Sequence, residues 1–178
     1  MSYLAKNYNR KKISFKYGKG SYLYSVNGKK YLDFVQGIAV NSLGHTHPKL
    51  VKAINQQSRK LWHVSNAFTI PEQEKLAKKL KQKTFADYVF FQNSGAEATE
   101  AAIKFARRYF YSKGQKRKNR VLCINNSFHG RTLATIFASN SKKATEGFYP
   151  KVDGFDHFNF GDHKALEKAI TNRTAAIM

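Results

Sequence analysis

Apolar and polar positions alternate in three short runs near the start of the chain: Ile13-Ser14-Phe15, Tyr22-Leu23-Tyr24-Ser25-Val26 and Lys30-Tyr31-Leu32-Asp33-Phe34. A period of two predicts strands. Asn27-Gly28, between the last two, is a strong hairpin turn signal. Gly37-Ile38-Ala39-Val40 and Gly44-His45-Thr46-His47-Pro48 break the pattern and read as an irregular connection. Pro48 suits the first turn of a helix running to about Leu61, with Leu50, Val51, Ile54 and Leu61 on one face. Trp62 to Thr69 reads as a loop. Pro71 opens a second helix, in which Leu76 and Leu80 are apolar at i, i+4.

From Tyr88 onward, short apolar runs alternate with helical patterns. Tyr88 to Phe91 predicts a buried strand. Ser94 to Lys113 predicts a long helix with Gly114 as its C′ residue. Val121 to Ile124 predicts a second buried strand, Ser127 to Thr132 a turn, and Thr132 to Ala138 a short helix. A polar, aromatic-rich loop follows. Asp162 caps a helix through Ile170, and Ala175 to Met178 begins a further strand. This alternation predicts an α/β fold with a largely parallel sheet covered on both faces. A sequence that ends inside a core strand is expected to be the front portion of a longer one, since a self-contained domain ends at its surface.

Composition narrows the class. The hydrophobic fraction of 42% and aromatic fraction of 14% are globular values. No apolar run approaches a membrane span, and Met1 to Asn7 holds no apolar signal segment. The single Cys123 cannot pair within the chain, which points to a reducing, cytoplasmic setting. The net charge of +21 has two readings. One is affinity for nucleic acid or anionic surfaces. The other is a compositional bias toward Lys, Asn, Ile, Tyr and Phe. The charges are spread along the whole chain, so nucleic acid is not expected as a partner, and neither is a membrane.

Two turns carry candidate chemistry. Ser94 and Glu97 stand in the S-x-x-E relation of a capping box. Such a helix start presents free N–H groups and a positive dipole end, and Gly95 and Ala96 leave room for an anion to approach. The same spacing also begins many ordinary helices. The second turn, Ser127-Phe128-His129-Gly130-Arg131, offers a flat ring, an imidazole and a guanidinium. In doubly wound folds ligands sit at the carboxyl ends of strands, so both turns are expected on one rim. Alternatively Phe128 packs in the core, His129 bonds a carbonyl and Arg131 is solvated. His45, His47 and His63 have no accompanying Cys or spaced carboxylate, so no metal site is expected.

Several motifs in order resemble one family. Tyr31-Leu32-Asp33-Phe34, Gly37-Ile38-Ala39-Val40-Asn41 and Leu43-Gly44-His45-Thr46-His47-Pro48 are similar to the N-terminal signature of class III, pyridoxal-phosphate-dependent aminotransferases. Phe90 to Ala98 and Phe128-His129-Gly130-Arg131-Thr132 match the same family, nearest its acetylornithine aminotransferase branch. The resemblance implies an incomplete fold-type I transferase: an N-terminal β-hairpin segment and connection over 1–47, then part of the α/β/α cofactor-binding large domain over 48–178. It implies that Gly95 and Ala96 bind the pyridoxal 5'-phosphate phosphate with Ser94 beside them, that Phe128 stacks on the pyridine ring, and that Arg131 pairs with a substrate carboxylate. The implied reaction moves the δ-amino group of N-acetylornithine to 2-oxoglutarate. Ornithine, succinylornithine and 4-aminobutyrate are the alternative donors. The family's Schiff-base lysine, the aspartate at the pyridine nitrogen and a phosphate-binding threonine would lie beyond Met178. No catalytic residue is therefore expected in this chain, which is expected to be inactive alone. The family further implies a homodimer, and the truncation a complementing C-terminal chain. A non-catalytic cofactor-binding or interaction remnant is the alternative of another class.

Overall fold

The N-terminal alternation folds as β1 (Phe15–Lys19), β2 (Tyr22–Ser25) and β3 (Lys30–Leu32), an antiparallel sheet in the order β1-β2-β3. β1 begins two residues after the start of the run that predicts it, where cross-strand partners exist. Phe15 meets the edge of Tyr31 at 5.6 Å, and Tyr17 stacks on Tyr24 at 4.5 Å. The expected hairpin closes with Gly28 at φ 81°, its N–H donating to the Ser25 carbonyl at 3.0 Å. The computed structural model describes residues 3–178, and the chain divides into two compact units between Leu76 and Ala77.

The irregular connection contains a short left-handed turn, α1 (Gln36–Ala39), with φ of 50°, 64°, 61° and 63° at successive residues. Ile38 is β-branched, so this conformation is strained by about 1–2 kcal/mol there. Asp33 holds its entrance. Oδ1 accepts from the Val35 and Gln36 N–H groups at 3.0 and 2.9 Å, and Oδ2 lies 2.7 Å from His45 Nε2. The Gln36 N–H and the His45 ring together hold the Asp33 carboxyl below the usual carboxylate range. His45 in turn exchanges backbone hydrogen bonds with Gly20, and its ring lies on Gly18, where an added Cβ would meet it at 2.5 Å.

Two helices follow, α2 (Pro48–Gln57) and α3 (Pro71–Lys83). α2 stops short of Leu61 because side chains take up the carbonyls near its end: Trp62 Nε1 donates to Ser58 O at 2.6 Å, and Gln57 Nε2 to Leu61 O at 2.8 Å. The apolar faces read from the sequence exist, but Leu50, Val51, Ile54, Leu76 and Leu80 all remain exposed.

The second unit is built on β4 (Arg120–Ile124), β5 (Phe155–Phe158) and β6 (Thr174–Ile177), a parallel sheet in the order β5-β4-β6. Val121, Leu122 and Cys123 of the central strand are fully buried. The core joins Val121 and Cys123 to Ile103, to Ile136, Phe137 and Ala138, and to Phe155. Burial pushes the Cys123 thiol up to about 12, with the Asp156 charge adding to it.

α4 (Gly95–Ser112) supplies Ile103 to that core, and α5 (Leu133–Ser139) supplies Ile136 to Ala138. α4 ends in a Schellman motif: Gly114, at φ 75°, donates to Tyr111 O at 3.1 Å, and Gln115 to Phe110 O at 2.9 Å. α6 (Lys142–Thr145) and α7 (His163–Ala169) complete the unit, α7 with the expected cap, Ala165 N–H donating to Asp162 Oδ1 at 2.9 Å. Among the described residues, no helix is long and apolar enough to cross a membrane.

Two further segments differ from the reading of their sequence. The aromatic-rich loop contains β5, whose polar centre hides it. Asp156 receives Arg120 Nε at 2.7 Å, and His157 Nε2 lies 3.1 Å from the carbonyls of both Phe137 and Ala138. The segment from Tyr88 to Phe91 is not a strand. A ladder needs a partner, none pairs with it among the described residues, and Tyr88 is 94% exposed.

Candidate functional site

The turn before α4 leaves its first backbone donors open. Ser94 is extended (φ −151°, ψ 163°), and its Oγ accepts the Glu97 N–H at 3.2 Å. In a full capping box the Glu97 carboxylate would return to the Ser94 backbone N–H. Here it takes the Ser94 hydroxyl at 3.1 Å and the Asn93 amide at 3.3 Å instead. The N–H groups of Gly95 and Ala96 find no acceptor among the described residues. A Cβ built on Gly95 would meet nothing within 4 Å. An open helix start of this kind suits an oxyanion, through both hydrogen bonding and the macrodipole.

The turn after β4 is tied at both ends. Ser127 Oγ donates to the Ile124 carbonyl at 2.6 Å and lies 2.6 Å from His129 Nε2. With that hydroxyl proton directed at Ile124, the imidazole donates from Nε2. Burial holds His129 below the usual imidazole range, and the charge of His157 acts in the same direction. At the far end Thr132 caps α5, and its hydroxyl donates to Glu100 Oε1 at 2.5 Å. Between these ties Phe128 is 76% exposed, which corrects the core-packed alternative. The Arg131 guanidinium lies 5.4 Å from its ring centroid, so it is not merely solvated. A hollow of about 250 Å³ beside them is lined by Asn126, Ser127, Phe128, Arg131 and Lys143, among others.

The two turns are neighbours. Gly130 (φ 134°) lies so close to α4 that an added Cβ would come 2.8 Å from Ala96 Cβ and 2.9 Å from Thr135 Oγ1. Ser94, Gly95 and Ala96 therefore stand beside the loop that carries Phe128 and Arg131. Sequence reasoning missed Gly130 as the contact and Glu100 as the anchor. The available signal was the i, i+4 relation of Ala96 and Glu100, which places both on the face the loop must cover. Open amide donors beside an exposed ring fit a planar ligand bearing a phosphate.

Parallel sheet, rim turns and motif order converge on one family. Residues 3–178 match aminotransferase class-III, and the chain belongs to that family. Among its relatives, the acetylornithine aminotransferase of Agrobacterium fabrum is 57% identical over 95% of this chain and 42% of its own length. That of Brucella melitensis is 54% identical over 96% of this chain and 42% of its own. Among solved structures, an ornithine aminotransferase from Toxoplasma gondii, described with partial occupancy of PLP at its active site, superposes with a TM-score of 0.92. It is 30% identical and is matched over 98% of this chain and 42% of its own length. The chain thus spans less than half the length of the relatives it matches, and its fold is the corresponding part of a fold-type I transaminase.

Proposed function

We propose that this chain is the cofactor-holding N-terminal part of an acetylornithine-type aminotransferase. On this reading residues 1–47 belong to the small-domain segment and 48–178 to the pyridoxal-phosphate-binding large domain. The observation that carries it is the contact of Gly130 with Ala96, which brings unpaired amides and an exposed ring into one rim. The Gly95 and Ala96 N–H groups bind the phosphate of pyridoxal 5'-phosphate, with Ser94 beside them. Phe128 stacks on the pyridine ring and orients it. Arg131 leaves the Phe128 face to pair as a planar fork with a substrate carboxylate. The bound ring supplies an electron sink for amino-group transfer.

The donor is N-acetylornithine and the acceptor 2-oxoglutarate. This choice rests on identities of 57% and 54% to enzymes named for acetylornithine. Ornithine, succinylornithine and 4-aminobutyrate are the competing donors. The Schiff-base lysine falls in the part of the relatives' length that this chain does not span. Residues 1–178 by themselves are then catalytically incomplete, and the active form is a cytoplasmic homodimer in which the remaining C-terminal part, in the same or a complementing chain, supplies that lysine. Titration with pyridoxal phosphate, followed by its absorbance, tests the reading. Saturable binding without a lysine adduct is expected. Phe128→Ala should weaken it about threefold to tenfold, the scale of an aromatic stacking contact. Absence of saturable binding by the wild-type chain would overturn the proposal.

A further inference from the structure

We propose that Glu100 is a positioning residue that sets the gap between the anion-binding turn and the aromatic loop, an inference that rests on the cofactor reading above. α4 acts as a ruler. Ala96 lies in its first turn, and Glu100 lies on the same face, roughly 6 Å further along the axis. The loop follows that face. Gly130 packs on Ala96, and two residues later the Thr132 hydroxyl donates to Glu100 Oε1 at 2.5 Å. Arg131 sits between these two contacts, and Phe128 just before them.

Thr132 is not free to swing. Its Oγ1 also accepts the Thr135 N–H at 3.3 Å and lies 2.9 Å from Thr135 Oγ1, and Thr135 is wholly buried. Glu100 is half-buried and lines a hollow together with Glu97 and Lys104, but among the described residues its carboxylate makes no ion pair, and its side-chain hydrogen bond is the one from Thr132. A phosphate ester of a planar ring has a fixed reach from phosphate to ring. A helix-borne anchor that fixes the matching spacing lowers the ordering cost of engaging both ends.

Two probes separate positioning from folding. Pyridoxal phosphate needs both the turn and the loop, whereas inorganic phosphate needs the turn alone. In the full chain, Glu100→Ala should weaken pyridoxal phosphate about tenfold, the scale of a hydrogen bond to a charged acceptor, with phosphate binding unchanged. Glu100→Gln keeps a neutral acceptor and should recover part of the loss, binding between Glu100→Ala and the wild type. Equal weakening of both probes, or of neither, overturns the proposal. Amide exchange at residues 128–132 should quicken in Glu100→Ala and recover in Glu100→Gln; unchanged exchange overturns the tie with no ligand involved. If the wild type binds no pyridoxal phosphate, the cofactor reading fails and the exchange measurement alone judges the tie. Should Glu100→Ala not fold, Thr132→Ala removes the donor instead and should give the same selective loss; equal affinity for both probes relative to wild type overturns the proposal.

Discussion

Two imidazoles in the second unit are disfavoured from taking up a proton by their surroundings. Burial lowers His157, although the Phe137 and Ala138 carbonyls oppose the shift, and burial also lowers His129. Both folded values lie below the ordinary 6.5, so the unfolded chain takes up protons first as pH falls. Their contribution to stability is whole above pH 6.5 and drains as pH falls through 6.5 toward the folded values. The urea midpoint should therefore be lower at pH 5.5 than at pH 7.5; a midpoint that holds or rises would contradict it. Phe128 and Arg131 stand out in the sequence by type, an aromatic ring and a guanidinium within one turn. The pair Thr132 and Glu100 was not, because 32 residues separate them and only packing joins them.

The contact between the 127–132 loop and α4 depends on Gly130. A Cβ there would press on Ala96 and Thr135 Oγ1 at a φ of 134°. Gly130→Ala should cost about 1–3 kcal/mol, the range for overpacking, and Ala96→Gly should restore part of it. An unchanged thermal midpoint in Gly130→Ala would show that the loop does not rest on the helix. Element ends were the most readable feature of this chain. Ser94, Gly114 and Asp162 each carry a local signal that the backbone obeys. Strands were less so, because a strand is defined by its neighbour. Tyr88 to Phe91 has the apolar content of a strand and no ladder. β5 has two polar residues of four and sits beside β4, where Arg120 and the α5 carbonyls satisfy them.

The surface of the chain is large for its mass. It exposes 15150 Å², whereas two separate compact globules of these sizes would expose about 10,600 Å². Phe34, Ile38, Trp62, Phe85, Tyr88 and Phe160 are each more than 85% exposed. Exposed apolar side chains in this number favour association, since each is covered when two surfaces meet. The isolated chain should bind a hydrophobic dye and associate as its concentration rises; a dye-silent monomer at all concentrations would contradict that. The central claim is that one ligand engages both rim turns at once. Amide and aromatic NMR of the chain titrated with pyridoxal phosphate measures this directly. The Gly95 and Ala96 amides and the Phe128 ring should shift together along one saturation curve. Shifts at only one turn, or at the two turns with different midpoints, would contradict it.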